Sequence, residues 1–303
     1  MKRYKRLLIN LKMNNHDYNL IKHAYTISQM ASSERLYFLF TEEQLDISDE
    51  LKNEYPELTE SIADFAREKI NEQINKVFTG GNKPEITIII QEGNELDEIL
   101  KQIRINGIDL VLYDLSREND HYISISTKLA RKAPCSVLLM PEETELNLIN
   151  MSVAVDFSDY SADAMDAAIA FAKAGQVPVI NVLHIYQVTT GYYKTGKSYD
   201  EFAGIMKNNA KKRFNEFIHR FSIPQTLKVT EQYILDTKTA QAIKNTLEKN
   251  NTSFLVVGAR GRGAGAAVML GSVTEKLIET LPIPILAVKQ KNSGLSILDA
   301  IFK

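Results

Sequence analysis

The chain carries one pattern twice. Ile86 to Asp114 (ITIIIQEGNELDEILKQIRINGIDLVLYD) and Leu227 to Gly258 (LKVTEQYILDTKTAQAIKNTLEKNNTSFLVVG) each run as an apolar strand, a polar turn, an amphipathic helix and a second apolar strand. Thr127 to Met140 (TKLARKAPCSVLLM) and Glu275 to Val288 (EKLIETLPIPILAV) each read as a helix stopped near a proline, then a buried strand. Leu7 to Leu11 and Val153 to Asp156 are both short apolar strands feeding a helical stretch. The copies lie about 145 residues apart, a domain-sized repeat.

Each copy reads β-α-β-α-β-α-β-α-β. Strands alternating with helical patterns require right-handed crossovers, a parallel sheet and helices on both of its faces. The runs Val179 to Tyr186, Phe254 to Val257 and Ile283 to Val288 are almost continuously apolar, as strands covered on both faces should be. The expected fold class is therefore α/β, with two tandem doubly wound (Rossmann-like) domains, each a five-stranded parallel sheet flanked by helices. The polar segment from Pro141 to Asn147 divides them into residues 1–144 and 145–303.

The 303 residues are 44% hydrophobic, enough for two cores. A net charge of −2 argues against a broad nucleic-acid surface but leaves room for one bound nucleotide. The single cysteine, Cys135, forbids an intrachain disulfide and suits a reducing cytoplasm; it opens an apolar strand and reads as buried. No apolar run reaches the ~18 residues of a membrane helix, and the apolar stretch after Met1 to Arg6 is too short for a signal peptide. The five histidines lack metal-ligand spacing. At the C-terminus, Leu295, Leu298, Ile301 and Phe302 fall at helical spacing and read as a docked amphipathic helix or a partner-binding tail.

The second copy carries a glycine constellation. Its strand Phe254 to Val257 runs into Gly258-Ala259-Arg260-Gly261, and nine residues later comes Gly271-Ser272-Val273-Thr274-Glu275. Doubly wound sheets bind ligands beyond the carboxyl ends of their strands. Glycines there permit close backbone approach, and the helix opened by Gly271-Ser272 offers free N–H groups and a positive dipole end to phosphate. The hydroxyls of Ser272 and Thr274 would add donors, and Ser272-x-x-Glu275 also reads as a capping box.

Gly258-x2-Gly261-x9-Gly271-Ser272 resembles the nucleotide signature of ATP-binding universal stress proteins. The GSVTE segment, the closing strand after Pro282-Ile283-Pro284, the first strand Val153 to Ser158 and the second at Leu183-His184-Ile185 are similar to that family too. The resemblance covers nearly all of the second copy and, in the first, mainly the topology. It implies one adenine-nucleotide site, for ATP or for AMP or ADP, with Mg²⁺ accompanying a triphosphate. By position, Asp156 would face the adenine with Ala154 and Val155 beside it, and Ile185 would pack on the base. Val257 and Gly258 would lie near the ribose, with Gly261, Gly271, Ser272, Val273 and Thr274 around the phosphates. Arg260 would add positive charge or stand as a solvated loop arginine, and Asp156 also suits a turn before a helix.

The first copy departs from this pattern. Asp114 stands where Gly258 does, Ile123 opposite Gly271 and Leu11 opposite Asp156, and Leu115 to Tyr122 is about four residues shorter than its counterpart. A carboxylate would repel phosphate, so the first domain is expected to be a structural partner, packed like one half of a dimer.

A rival motif is Gly191-Tyr192-Tyr193-Lys194-Thr195-Gly196-Lys197-Ser198, which fits G-x4-G-K-[ST] between a strand and a helix. It is spaced four residues from its strand, crowded by tyrosines and without a later Mg²⁺-binding aspartate. Lys194 or Lys197 could instead fold over phosphates bound at Gly271. With no nucleophile–base–orienter set in view, the expected protein is a cytoplasmic nucleotide-binding stress or regulatory protein rather than an enzyme, able at most to hydrolyse ATP slowly. A homodimer is possible, and a nucleotide-hydrolysing enzyme or a nucleotide-free interaction module are the alternatives.

Overall fold

Every strand of the computed structural model belongs to one sheet, and the order of its strands explains the repeat. The structure describes residues 3–42, 62–81, 83–115, 120–142, 144–260 and 270–289. The first half contributes β1 (Arg6–Leu11), α1 (Asp17–Ala31), β2 (Arg35–Glu42), α2 (Ile62–Val77), β3 (Glu85–Glu92), α3 (Glu95–Asn106), β4 (Leu110–Leu115), α4 (Asp120–Lys132) and β5 (Ser136–Pro141). The second contributes β6 (Met151–Ala154), α5 (Asp159–Ala174), β7 (Val179–Tyr186), α6 (Tyr199–Ile218), β8 (Lys228–Leu235), α7 (Thr239–Lys249), β9 (Phe254–Gly258), α8 (Ser272–Thr280) and β10 (Ile285–Val288).

The ten strands run in the order β3-β2-β1-β4-β5-β10-β9-β6-β7-β8. Each half is a parallel five-stranded sheet with the doubly wound order 3-2-1-4-5, as expected. The halves meet through β5 and β10, which pair antiparallel with Leu286 opposite Leu138. The registers agree: β1 meets β4 with Leu7 opposite Leu110, and β6 meets β9 with Met151 opposite Phe254. Lys12 therefore occupies the place of Asp156, one residue away from the sequence alignment, which set Leu11 there.

The central strands β4, β5, β6, β9 and β10 are buried throughout, because helices cover both faces. Two apolar layers result, one per face, and each runs through both halves. One includes Leu7, Ile9, Phe38 and Leu138 with Val153, Phe171 and Leu286. The other includes Leu8, Val111 and Val137 with Leu183, Val257 and Leu277. Local chemistry delimits the helices. Asn94 caps α3 by accepting from the Asp97 N–H, and Gly107 closes it in the left-handed conformation. Ser158 caps α5 through the Ser161 N–H.

Polar contacts also cross the seam. Arg3 is buried against Asp163 and Asp166 at 3.5 and 3.3 Å, and Arg131 meets Glu275 at 2.6 Å. Lys289, at the end of β10, donates to the Arg131 carbonyl at 2.9 Å, and burial lowers its pKa to about 8. Cys135 is buried, as read from the sequence. The expected C-terminal helix lies outside the described residues.

Leu286 is fully buried in a layer that both halves share. Leu286→Ala should cost about 2–5 kcal/mol. Chemical denaturation should show that loss in a single transition spanning both halves.

Candidate functional site

At the carboxyl edge of the second half, the chain departs in opposite directions from neighbouring strands. After β6 it passes to α5 on one face, and after β9 to α8 on the other. This is the topological switch point at which doubly wound sheets hold ligands. A cavity of about 400 Å³ opens there. The sheet supplies its floor through Ala154, Val155 and Asp156 after β6, Ile185 on β7, and Val257 and Gly258 on β9. Arg260 forms part of the wall, and α8 presents Gly271, Ser272, Val273 and Thr274. Eleven of the twelve residues expected from the sequence thus meet in one cavity. The twelfth, Gly261, lies outside the described residues.

Five further residues line it: Ser161, Leu183, Thr239, Ile243 and Leu270. Leu183 shares the strand face of Ile185, so the two-residue period of β7 pointed to it. Ile243 lies one turn beyond Thr239 on α7. No local signal marks Thr239, because α7 reaches the cavity only through a crossover.

Several details correct the sequence reading. Gly271 is the N-cap of α8, with extended backbone and no side-chain cap. Ser272 is the first helical residue, so it forms no capping box with Glu275, whose carboxylate is turned to Arg131 across the seam. The Thr274 hydroxyl is buried and donates to the Gly258 carbonyl at 2.9 Å, tying α8 to β9 rather than pointing a donor at a ligand. Gly258 has a structural reason of its own: a Cβ there would come within 2.9 Å of the Tyr160 carbonyl oxygen. Arg260 donates to the Tyr160 hydroxyl at 3.3 Å and lies over its ring. Asp156 accepts from the Ser158 N–H at 3.0 Å and from the Ser161 hydroxyl, so it builds the turn before α5 as well as lining the cavity.

His184 stiffens this turn from the opposite face of β7. Its Nδ1 lies 2.9 Å from the Val155 carbonyl, which requires the nitrogen to donate. Its ring stacks on Phe157 at 4.2 Å, and Phe157 sits in the left-handed region at φ 63°.

The equivalent edge of the first half is filled. Lys12 Nζ lies 3.7 Å from the Asp114 carboxylate and 3.1 Å from its carbonyl, and 4.6 Å above the Tyr113 ring. Asp17 takes the place of Ser161: its carboxylate accepts the Lys12 N–H at 3.0 Å, as the Ser161 hydroxyl accepts the Asp156 N–H at 2.9 Å. Burial raises the Asp17 pKa to about 6. Ile123 lies inside α4, whereas Gly271 precedes α8, so no helix start is offered at that point.

The rival phosphate loop is occupied by its own groups. Tyr192–Thr195 forms a 3₁₀ turn that uses the N–H groups of Lys194 and Gly196 internally. Ser198 caps α6 in a full capping box, with the Glu201 carboxylate on the Ser198 N–H and hydroxyl where a phosphate would sit. Neither Lys194 nor Lys197 is among the residues lining the cavity. Among the described residues, no group of three His, Cys, Asp or Glu side chains could hold a metal, and no helix is long and apolar enough to cross a membrane.

Fold and cleft together define a doubly wound α/β protein with a ligand-binding edge at the switch point of its second half. Residues 150–289 match the model of the universal stress protein family. The universal stress protein YxiE of Bacillus subtilis (strain 168) is 32% identical over 145 residues, covering 46% of this chain and 97% of that protein. Over the whole chain, the fold is shared with two solved structures. A functionally unknown protein of Pseudomonas aeruginosa PAO1, PA1789, superposes with a TM-score of 0.65 at 17% identity, covering 98% of this chain and 96% of that one. A universal stress protein of Archaeoglobus fulgidus DSM 4304 gives 0.61 at 16%, covering 96% and 98%. The chain belongs to the universal stress protein family.

Burial, with the Arg213 charge as a lesser cause, lowers the His184 pKa from its ordinary 6.5. The neutral ring is the form the fold accepts, so its contribution is complete above about pH 6.5 and is lost as pH falls and the unfolded chain takes up a proton. Buried His23 acts in the same direction, so the comparison must be between variants. Denaturation midpoints at pH 7.5 and 5.5 should separate less in His184→Phe than in the parent.

Proposed function

We propose that the second half binds one adenine nucleotide, ATP or its mono- or diphosphate, and that occupancy regulates a stress-response protein rather than feeding catalysis. The observation that carries this reading is the start of α8. Its first N–H groups emerge behind Gly271 with no side-chain cap, at the switch point, into an apolar cavity of about 400 Å³. Uncapped N–H groups and the helix dipole suit phosphate, and the volume suits a nucleotide-sized ligand.

The phosphates would lie at Gly271, Ser272 and Val273, with Gly261 and Arg260 on the adjoining loop. The ribose would rest near Val257 and Gly258. The base would enter between Ala154, Val155, Asp156 and Ile185. Mg²⁺ would be held by phosphate oxygens and water rather than by a cluster of carboxylates. No histidine lines the cavity, and the Ser161 hydroxyl is already engaged by Asp156, so no general-base pair is assembled. The first half, its cleft closed by Lys12 and Asp114, acts as the structural partner, and its buried lone cysteine suits a cytoplasmic setting.

Mass analysis of nucleotide released from heat-denatured, freshly purified protein tests the reading. ATP or ADP should come from the parent and from Lys197→Ala. Neither should come from Gly271→Val, whose side chain would fill the point of closest phosphate approach. An empty parent that also fails to bind added ATP would remove the proposal, and loss in Lys197→Ala alone would return the site to the 191–198 loop.

A further inference from the structure

We infer that Thr239, on the first turn of α7, holds the edge of the base and makes the cavity prefer a purine; this rests on the nucleotide reading of the same cleft. α7 and α8 cover one face of the sheet and pack against each other. Their amino-terminal ends flank opposite sides of the cavity. If phosphate occupies the α8 side, the base reaches towards α7.

That wall is apolar apart from one group. Leu183 and Ile185 face the cavity from β7 and Ile243 from the second turn of α7, while Thr239 is half-buried beside them. The Thr239 hydroxyl makes no hydrogen bond among the described residues, so it is available as both donor and acceptor. Its position is set from behind. The Asp236 N–H donates to the Tyr186 carbonyl at 3.1 Å, the Asp236 carboxylate accepts from the Lys238 N–H at 2.7 Å, and Gln187 donates to the Thr237 carbonyl at 3.2 Å. These three bonds fix the loop before α7 to the end of β7, on which Ile185 sits, so the hydroxyl and the apolar wall keep a constant spacing.

A flat base stacked on Ile185 presents its polar edge to this wall. A purine is long enough to span from a ribose near Gly258 to α7, whereas a pyrimidine ends short of it. One neutral hydroxyl satisfies one edge atom, so a base with fewer polar edge groups is favoured over one that would leave several unpaired. Adenine, with its amine and ring nitrogens, meets that condition better than guanine.

The test is equilibrium binding of ATP and UTP to the full chain by calorimetry. In Thr239→Val, nearly the same shape without the hydroxyl, ATP should weaken by about tenfold and UTP by less than about twofold, as loss of one neutral hydrogen bond requires. Thr239→Ser should restore ATP binding to within about threefold of the parent by the same contact. Unchanged ATP binding in Thr239→Val would overturn the assignment, and so would an equal loss for both nucleotides, which would mark a merely structural role. A parent that binds neither nucleotide would instead remove the nucleotide reading and this inference with it.

Discussion

The antiparallel pairing of β5 with β10 is the contact on which the molecule depends. Each half alone would end in a fully buried strand with unpaired N–H and C=O groups along its edge, a costly and aggregation-prone surface. Pairing Ile285, Leu286 and Ala287 with Leu139, Leu138 and Val137 satisfies both edges and makes one ten-stranded sheet. The outer edges left behind are β3 and β8, which carry charged residues at Glu85, Glu92, Lys228 and Glu231. Because the seam continues the sheet, the apolar layers on both faces continue as well, and neither half owns a complete core.

The same seam braces the candidate site. It brings α4 beside α8, so Arg131 reaches Glu275 one turn from Gly271. The Arg131 carbonyl holds Lys289 at the end of the strand beside β9. The first half therefore has a physical task even with its own cleft closed: it fixes the helix whose amino terminus would receive phosphate.

Identical backbone frameworks carry opposite chemistry at the two edges. Registers that superpose residue for residue place Lys12 against Asp156, Asp17 against Ser161 and Asp114 against Gly258. In the first half these groups answer one another: burial disfavours the charges of Lys12 and Asp114, and their proximity offsets that cost. In the second half a glycine and hydroxyls leave space. A fold of this kind tolerates both outcomes because strand register is set by apolar residues within the sheet, while the edge residues beyond it are free to vary.

Much of this was legible from short-range pattern. The alternation of apolar strands and amphipathic helices specifies right-handed parallel crossovers, and once the order of elements is known the switch point follows. Gly258 and Gly271 mark the chain where it passes that point, and Ala154, Val155, Asp156 and Ile185 lie on strands whose ends must face it. The tertiary structure decided what depends on partners distant in sequence. Glu275 suits a capping box by local rule, yet an arginine 144 residues away holds it. Lys12 rather than Leu11 matches Asp156 because strand pairing, not alignment, sets the register. Gly258 is required by the Tyr160 carbonyl, and Thr239 reaches the cavity only because α7 crosses back over the sheet. Period and turn chemistry are local energies that a sequence displays directly, whereas these contacts exist only after the crossovers and the β5–β10 seam have closed.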